Sequence, residues 1–404
     1  MYLIRKSMLS AFCFSSALLG ASANSAQGAT FTVLHTFAAY PTDGAAPLGG
    51  LVSDSSGNLY GTTSEGGGNY CPYYGCGTVF KITPDGSETI MHSFGSGPTD
   101  GTFPESALLI DNSGNLYGTT GSGGTCPETS GGCGTVFKIE PNGNETILHD
   151  FAGGTDGAFP ESGVTMDATG NLYGTTTAGG SERCQKFNGG GCGTVYELAP
   201  DGTETVLYAF PNKRQGQQPV GNVVVDGKGR VYGITVRGGH YHDGILYMLT
   251  AKGSMHILHE FAGGSDGASP NLLFLDPHRT LFGATLGGGS GNGGTLYTVA
   301  PPGVETIFYN FTESGGVNPS GLIADPKHNI YGTAENGGPC CGAIFKLTPS
   351  SQETLLHTFE TGSGGWGPTG SLVRDAHGTI YGTTDVGGAG CDNFGCGVVY
   401  SLSR

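Results

Sequence analysis

The sequence has few positive charges, a single tryptophan and no apolar run after the first segment that is long enough to cross a membrane. Its 404 residues include 17 Lys and Arg against 33 Asp and Glu, a net charge of -16 at pH 7. Nucleic acids and anionic membranes repel a chain of this charge, so we expect neither as a partner. The sequence also lacks a nucleophile elbow, P-loop, HExxH, EF-hand loop and dinucleotide fingerprint, so we predict no cofactor of those classes.

Residues 1–23 have the pattern of a secretory signal peptide. Two basic residues precede an apolar stretch (8–19), and small residues follow in an A-x-A site (21–23). Basic, apolar and small-residue segments in this order are typical of a cleaved leader, and the apolar stretch is too short for a membrane span. We therefore predict a secreted or periplasmic monomer whose mature chain, 24–404, is a single domain.

Glycine and proline are abundant, with 77 and 21 copies, and they recur periodically. The motif Leu-Tyr-Gly-Thr-Thr and its variants are centred on Tyr60, Tyr117, Tyr173, Tyr232, Phe282, Tyr331 and Tyr381. A proline precedes each copy, at Pro47, Pro104, Pro160, Pro219, Pro270, Pro319 and Pro368. An aspartate lies between them, at Asp54, Asp111, Asp167, Asp226, Asp276, Asp325 and Asp375. Because the markers agree, we predict seven repeated units.

Each unit contains four short segments of β-branched and aromatic residues separated by Gly and Asp turns. In the first unit these predicted strands, named a to d, cover 50–54, 58–63, 77–83 and 88–94. Four short strands repeated at this spacing predict an all-β fold, a seven-bladed β-propeller of four-stranded blades. The units lie near 47–94, 104–151, 160–210, 219–261, 270–311, 319–359 and 368–404.

The two ends of the chain carry complementary parts of one unit. The last unit ends after its strand c, 398–402, whereas the segment 30–37 has the pattern of an isolated strand d. We expect this N-terminal strand to complete the last blade, because the pairing closes the ring and removes an exposed sheet edge.

The repeated unit also resembles a known family. Its pattern, DGxxPxxxLxxDxxGNLYGTTxxGG…GTVFKxxPxGxETxLxxF, is similar to the GloVer tandem repeat of exported bacterial proteins with a choice of C-terminal anchor, over residues 30–404. The resemblance implies secretion or surface display and a propeller-like repeat fold, and it implies no established activity.

Ten cysteines follow the leader, and all of them lie between strands b and c of their units. An even number, grouped within single loops of an exported protein, predicts five local disulfides, with zinc ligation as the weaker alternative. The pairs are Cys71/Cys76, Cys126/Cys133, Cys184/Cys192, Cys340/Cys341 and Cys391/Cys396. The fourth pair has two interpretations. Cys340 and Cys341 form a vicinal disulfide, or Cys340 is simply the partner that Cys341 keeps after its loop has shortened.

Residues that recur in most units are interpreted as architectural. Gly61 and Gly118, which follow the Tyr of strand b, predict the close approach of a neighbouring sheet. The aspartates after strand a are interpreted as turn formers. Histidines recur in strand d, but Tyr208 and Tyr309 replace them in two units, so we interpret the series as a structural aromatic position: His35, His92, His149, His259 and His357.

We expect the d–a links and b–c loops, which are the long connections, to share one face of the propeller. Long loops on a rigid scaffold are where binding usually resides. Blade 4 departs most from the repeat there and gathers scarce positive charge with an aromatic ring. Its candidate ligand-binding residues are Arg214, Arg237, His240, Tyr241, His242 and Asp243. These residues favour an anionic or sugar ligand, with a solvated, diverged loop or a metal site as alternatives.

Two further features of this face are candidates for binding. Trp366 replaces the Asp-Gly link of other blades, and it is either a stacking platform or a filler of a packing gap. The Asp-Gly links are weak candidates for Ca²⁺ ligands, at Asp43, Asp100, Asp156 and Asp266.

These observations leave three functional hypotheses. The first is an exported, non-enzymatic protein that binds a glycan or cell-surface component through its long-loop face. The second is a secreted propeller enzyme, a lyase or hydrolase that uses channel-lining acids or the His240–Asp243 loop. The third is a purely structural or interaction module, because fold alone does not decide function.

Overall fold

The computed structural model describes residues 29–39, 41–67, 71, 75–97, 99–126, 132–181, 184, 190–300, 304–338, 340–388 and 395–403. Within these residues the chain forms seven four-stranded antiparallel sheets, which are the consecutive blades of a β-propeller. The all-β, seven-bladed prediction is therefore confirmed. The predicted leader (1–23) and Cys391 lie outside the described residues.

The strands follow the predicted order a-b-c-d in every blade. Strands a are Val52–Ser53, Leu109–Ile110, Thr165–Met166, Gln217–Val225, Ala268–Leu275, Val317–Ala324 and Trp366–Arg374. Strands b are Leu59–Thr63, Leu116–Thr120, Leu172–Thr176, Val231–Arg237, Leu281–Gly287, Ile330–Asn336 and Ile380–Val386. Strands c are Thr78–Ile82, Thr135–Ile139, Thr194–Leu198, Ile245–Leu249, Thr295–Ala300, Ala343–Leu347 and Val398–Ser403. Strands d are Glu88–Ser93, Glu145–Asp150, Glu204–Ala209, Met255–Glu260, Val304–Asn310, Glu353–Thr358 and Thr30–Thr36.

The N-terminal strand closes the ring. Thr30–Thr36 pairs antiparallel with Val398–Ser403, and Thr30 lies opposite Ser403. The sheet order of blade 7 places this strand at the outer edge, in the position that strand d holds elsewhere. The predicted closure is confirmed, and it covers the edge of the last strand c with backbone hydrogen bonds.

The innermost strands approach each other at backbone distance around the centre of the ring. A Cβ added at Gly50 would collide with the backbone of Ser371, and one at Gly321 would collide with the carbonyl of Gly370. Side chains also join neighbouring blades, since Thr62 Oγ1 on strand b of blade 1 donates a hydrogen bond of 3.0 Å to the Ser106 carbonyl in blade 2.

Hydrophobic burial occurs between blades. Within the described residues there are seven clusters of buried side chains, and each combines residues from two consecutive blades. A single blade cannot bury both of its apolar faces, so each blade depends on its two neighbours for its core.

Each seam between blades contains a chain of aromatic contacts that starts from strand d. The His or Tyr of strand d lies edge-on to the Phe two residues later, as His35 does to Phe37 at 4.8 Å between centroids. That Phe then contacts an aromatic ring on strand c of the next blade, as Phe37 contacts Phe80 at 5.1 Å. The other six seams repeat the second contact at Phe94–Phe137, Phe151–Tyr196, Phe210–Tyr247, Phe261–Tyr297, Phe311–Phe345 and Phe359–Tyr400.

The glycine of strand b serves this aromatic packing. A Cβ added at Gly61 would collide with the ring of Phe80 and touch Leu51, and one at Gly118 would meet Phe137 and Leu108 in the same way. These atoms belong to the glycine's own blade. The expectation that a neighbouring sheet approaches at Gly61 and Gly118 is therefore wrong: the ring of the adjacent strand c covers the glycine instead.

The repeated aspartates after strand a form the turns that were predicted. Asp54 accepts hydrogen bonds from the backbone amides of Ser56 and Asn58, at 2.8 and 2.9 Å. It also accepts one of 3.0 Å from the hydroxyl of Tyr60, the tyrosine of the repeated motif. One carboxylate therefore organises the a–b turn and anchors the conspicuous Tyr of strand b.

We predict that Phe37→Ala lowers the free energy of unfolding by about 3–5 kcal/mol, the usual loss for removing a buried aromatic ring. Phe37 is 0% exposed and joins the N-terminal strand to blade 1. Denaturant unfolding measures the change. Tyr241→Ala, at a ring that is 54% exposed, is the control and should shift stability by no more than about 0.5 kcal/mol. Equal effects of the two substitutions would contradict this account of the seam.

Candidate functional site

The long connections lie together, as the strand order predicted. In blade 1 the link segment Gly44–Ala45 pairs with the loop segment Glu65–Gly66, and in blade 2 Gly101–Thr102 pairs with Ser122–Gly123. In blade 4 the same two connections meet because Gln217, at the start of strand a, pairs with Arg237, at the end of strand b. We call the surface formed by the d–a links and b–c loops the long-loop face.

Blade 4 carries a cationic and aromatic surface on this face. Its link forms a 3-10 helix, Lys213–Gln215, whose N-cap Asn212 accepts hydrogen bonds from the amides of Arg214 and Gln215. The carbonyl of Lys213 accepts a 3.0 Å hydrogen bond from the amide of Gly239 in the b–c loop. This bond fixes the link that carries Lys213 and Arg214 beside the loop that follows Arg237.

The b–c loop of blade 4 is a compact turn that exposes its polar side chains to solvent. The amide of Gly244 donates to the carbonyl of Gly238, which closes the loop at its base. His240, Tyr241 and His242 are exposed at its tip, and the rings of His240 and Tyr241 meet edge-on at 4.9 Å. We call the set Lys213, Arg214, Arg237, His240 and Tyr241 the blade 4 patch.

The blade 4 patch is exceptional in charge. Within the described parts of the chain, Lys213, Arg214 and Arg237 are the Lys and Arg residues found in d–a links and b–c loops. Most other described cations lie in a–b or c–d turns or on strands c. Within these described residues, the basic side chains of the long-loop face are therefore gathered in blade 4.

Two other candidates of the sequence, Asp243 and Trp366, are less exposed than this patch. Asp243 is half-buried at the base of the blade 4 loop. Trp366 opens strand a of blade 7, which is not a neighbour of blade 4, and pairs with Val386. Its ring is half-buried against the core between blades 6 and 7, so the structure does not bring Trp366 to the blade 4 patch.

The disulfides lie in the b–c loops of the long-loop face, as predicted. Cys71–Cys76, Cys126–Cys133 and Cys184–Cys192 are bonded, with Cα atoms 5.4, 5.3 and 5.2 Å apart. Cys340 and Cys341 are bonded to each other, which is the vicinal reading of that pair. Cys396 is also in a disulfide, and its proposed partner Cys391 lies outside the described residues.

A ring of left-handed residues, which sequence reasoning missed, joins the loops of adjacent blades. The residue before the repeated proline of each unit has φ between 53° and 64°. These residues are Ala46, Phe103, Phe159, Gln218, Ser269, Asn318 and Gly367. Its amide donates to a carbonyl at the end of the preceding blade's b–c loop, as Phe103 does to Cys76 at 2.9 Å. Non-glycine residues rarely adopt this conformation, so the loop contacts must over-determine it.

Three titratable side chains meet in each of four seams, and these groups are called the seam triads. Each contains a His of strand d, the Asp of the following link and the first Glu of the next blade's strand d. They are His35–Asp43–Glu88, His92–Asp100–Glu145, His149–Asp156–Glu204 and His259–Asp266–Glu305. The histidine and aspartate positions were recognised from the sequence, whereas the glutamates were missed.

The triads differ in how closely the histidine approaches the aspartate. His149 and His259 hydrogen bond to Asp156 and Asp266 at 3.1 and 3.0 Å. In the other two seams, His35 and His92 lie 3.5 and 3.7 Å from the nearest oxygens of Asp43 and Asp100. The four candidate Ca²⁺ aspartates thus lie in four separate seams, each beside a His and a Glu.

Burial changes the ionisation of the triads. Desolvation, with the negative charge of the neighbouring Asp, raises the pKa of Glu88, Glu204 and Glu305 to about 7. Burial also raises the pKa of Glu145 to about 7, although the His92 charge opposes the shift.

The three seams that lack the link Asp also differ at the His or Glu position of the triad. Gln215, Gly315 and Gly364 occupy the Asp position in these seams. Tyr208 and Met255 replace the His and Glu of the first of these seams, and Tyr309 replaces the His of the second. In the third, Phe31 replaces the Glu and stacks on His357 at 4.0 Å. The triad is complete only in the seams that have the link Asp. This joint occurrence of the three residues is the sequence signal that could have identified the Glu as a member of the triad.

The sequence matches the model of the Gloeobacter/Verrucomicrobia repeat over residues 23–222 and 184–400, so the chain belongs to this family of repeat proteins. The resemblance drawn from the repeated motif is confirmed. No curated relative matches the sequence at a significant level.

Solved structures with similar folds share little sequence with this chain. A catalytically inactive virginiamycin B lyase from Staphylococcus aureus, crystallised with quinupristin, is 14% identical, with TM-score 0.58 over 93% of this chain and 100% of that one. The extracellular domain of a hybrid two-component system from B. thetaiotaomicron is 14% identical, with TM-score 0.55 over 91% of this chain and 40% of that one. At this identity the similarity establishes the propeller fold alone.

Among the residues that the structure describes, no helix has the length and apolar character needed to cross a membrane. The disulfides are typical of proteins in oxidising compartments outside the cytoplasm.

We predict that Glu204→Gln stabilises the protein at pH 8 and has little effect at pH 5. The pKa of Glu204 is raised to about 7 in the folded state, so its stabilising contribution is full below its ordinary pKa of 4.5. That contribution is lost as the pH rises through 7. Glutamine stays neutral throughout, so melting temperatures measured from pH 5 to 8 should diverge in favour of the variant.

The exposed Glu313→Gln is the matched control for this measurement, and its melting curve should follow the wild type at every pH. A Glu204→Gln variant that is less stable than the wild type at pH 8 would show that the ionised carboxylate supports the seam.

Proposed function

We propose that this protein is an exported, non-enzymatic binding protein that holds an acidic glycan of a cell surface through its long-loop face. The blade 4 patch is the observation that supports this proposal. The proposed export rests on the leader pattern of residues 1–23 and on the disulfides of the b–c loops.

The chemistry of the patch suits a negatively charged sugar. The guanidinium groups of Arg214 and Arg237 can each donate two parallel hydrogen bonds to a carboxylate, sulfate or phosphate. Tyr241, which is 54% exposed, offers a flat ring on which the apolar face of a sugar can stack. His240 and Lys213 add further donors beside them.

The scaffold supports recognition by limiting movement of the backbone that carries these side chains. The link and loop are joined by the bond between Lys213 and Gly239, and the 3-10 helix is capped by Asn212. Groups that are already ordered lose less conformational entropy when a ligand binds. The positive charge of Lys213, Arg214 and Arg237 attracts an anionic ligand to the patch.

The enzyme alternative has less support. His240 and His242 are both exposed at the tip of the loop, and within the described residues neither forms a hydrogen bond to a carboxylate that would orient a general base. The names of the structural neighbours carry no argument about activity at 14% identity. The same loop is therefore assigned to ligand binding.

Calorimetric titration with acidic polysaccharides, such as polyuronates and sulfated glycans, tests the proposal. We expect binding by the wild type that weakens as salt concentration rises, because the contacts are surface charges. Arg214→Gln and Arg237→Gln should each weaken binding about tenfold or more, the usual effect of losing a charged hydrogen bond. Tyr241→Ala should weaken binding of every sugar that stacks on the ring.

Lys252→Gln, in a c–d turn away from the long-loop face, is the matched control and should bind as the wild type does. Retained affinity in the double Arg variant would overturn the assignment of the patch. Release of new reducing ends or unsaturated sugars during incubation would overturn the non-enzymatic part of the proposal.

A further inference from the structure

We propose that the seam between blades 1 and 2 binds one divalent transition-metal ion through His92, Asp100 and Glu145. This site lies at a seam between blades and is independent of the blade 4 patch. The three side chains come from strand d of blade 1, the link that follows it and strand d of blade 2.

Each of the three residues has a buried polar atom with no hydrogen-bond partner. These atoms are the Nε2 of His92, the Oδ1 of Asp100 and the Oε1 of Glu145. The Asp100 side chain is only 5% exposed. Buried polar atoms without partners are rare in folded proteins, because leaving one unsatisfied costs about 1–3 kcal/mol. Each residue of this cluster therefore keeps one atom that a further partner can satisfy.

The distances match a metal site better than a direct hydrogen-bonding network. His92 Nε2 lies 3.4 Å from Glu145 Oε2 and 3.7 Å from Asp100 Oδ2, too long for strong hydrogen bonds. Asp100 Oδ2 already accepts hydrogen bonds of 2.8 and 2.9 Å from the amide and hydroxyl of Ser96, so Oδ1 is the Asp100 oxygen left for an ion. Ligands about 2.0–2.1 Å from a tetrahedral zinc ion lie about 3.4 Å from each other. One ligand atom from each residue falls within 4.8 Å of the others, so small side-chain movements would complete the site.

The donor set also indicates the type of ion. A neutral imidazole nitrogen and two carboxylates suit zinc, cobalt or manganese, and the two negative charges balance a divalent cation. Calcium prefers six to eight oxygen ligands and does not favour imidazole. At Asp100 this proposal therefore differs from the expectation of Ca²⁺ at the Asp-Gly links.

The other seam triads have the same residue types but fewer free atoms. Both oxygens of Asp43 accept backbone hydrogen bonds, from the amides of Ala38 and Gly44, at 2.7 and 2.6 Å. In the remaining two triads the histidine Nε2 is already hydrogen bonded to Asp156 or Asp266. More of the polar atoms in these triads have hydrogen-bond partners, so the seam between blades 1 and 2 is the preferred metal site.

The exchange of histidine for tyrosine in two other seams does not contradict this assignment. Tyr208 and Tyr309 occur only where the link Asp is also missing. In both of these seams the histidine and the aspartate are absent together, whereas the edge-on aromatic contact to the following Phe survives in Tyr.

Metal titration of the full, tag-free chain tests the site. The chelator-treated protein is titrated with Co²⁺ and followed by visible absorption, and Zn²⁺ binding is followed by calorimetry and by melting temperature. We expect one tightly bound ion that raises the melting temperature. Glu145→Gln and His92→Ala should each weaken its binding more than about 100-fold, because they remove a direct ligand.

Glu204→Gln and His149→Ala make the same substitutions in the seam between blades 2 and 3 and serve as matched controls. Circular dichroism establishes that each variant is folded, and the near-isosteric Glu145→Gln keeps the test valid if His92→Ala does not fold. One ion lost in the blade 1–blade 2 variants and kept in the controls supports the site. No stoichiometric binding, an equal loss in the controls, or a loss only in a His240→Ala/His242→Ala variant would overturn it.

Discussion

The contact between a strand-d phenylalanine and an aromatic ring on strand c of the next blade is the interaction on which the whole ring depends. It recurs in all seven seams, and the phenylalanines are 0–1% exposed. The ring on strand c in turn covers the glycine of strand b, so three residues of the repeated motif form one packing unit. Because this unit joins different blades, no blade completes its core until its neighbours are in place.

This dependence on neighbours explains why the chain closes with its own N-terminal strand. Blade 7 would otherwise lack the Phe that must contact blade 1, and one seam would remain open. The strand Thr30–Thr36 is followed directly by Phe37, which packs on Phe80. Sheet pairing and aromatic packing are therefore satisfied by the same short segment.

The repetition of the seams leaves the loops free to differ. Packing and turn residues recur because each blade faces the same physical problem, whereas link and loop side chains are not needed for closure. Blade 4 uses this freedom most, since in its seam with blade 3 Tyr208, Gln215 and Met255 replace the His, Asp and Glu of other seams. The same blade carries the basic patch. Loss of a triad and gain of an exposed cationic surface thus occur in one region of the ring.

Much of the fold could be predicted because repetition makes local signals unambiguous. The Tyr, Pro and Asp markers established seven units, and the complementary chain ends established how the ring closes. The candidate site could be predicted only as a departure from the repeat, at Arg214, Arg237 and Tyr241. Whether such residues meet depends on contacts between separate segments, such as the bond from Gly239 to Lys213, which no spacing reveals.

The sequence by itself determined the number of blades, the strand order and the loops that hold the cysteines, because each follows from local patterns repeated along the chain. Only the tertiary structure decided that Gly61 is covered by Phe80 of its own blade, and that Trp366 lies away from the blade 4 patch. It alone brought Glu145 to His92 across more than 50 positions of sequence. The physical reason is that these contacts join separate strands or separate blades, and spacing along one repeat does not show which side chains meet.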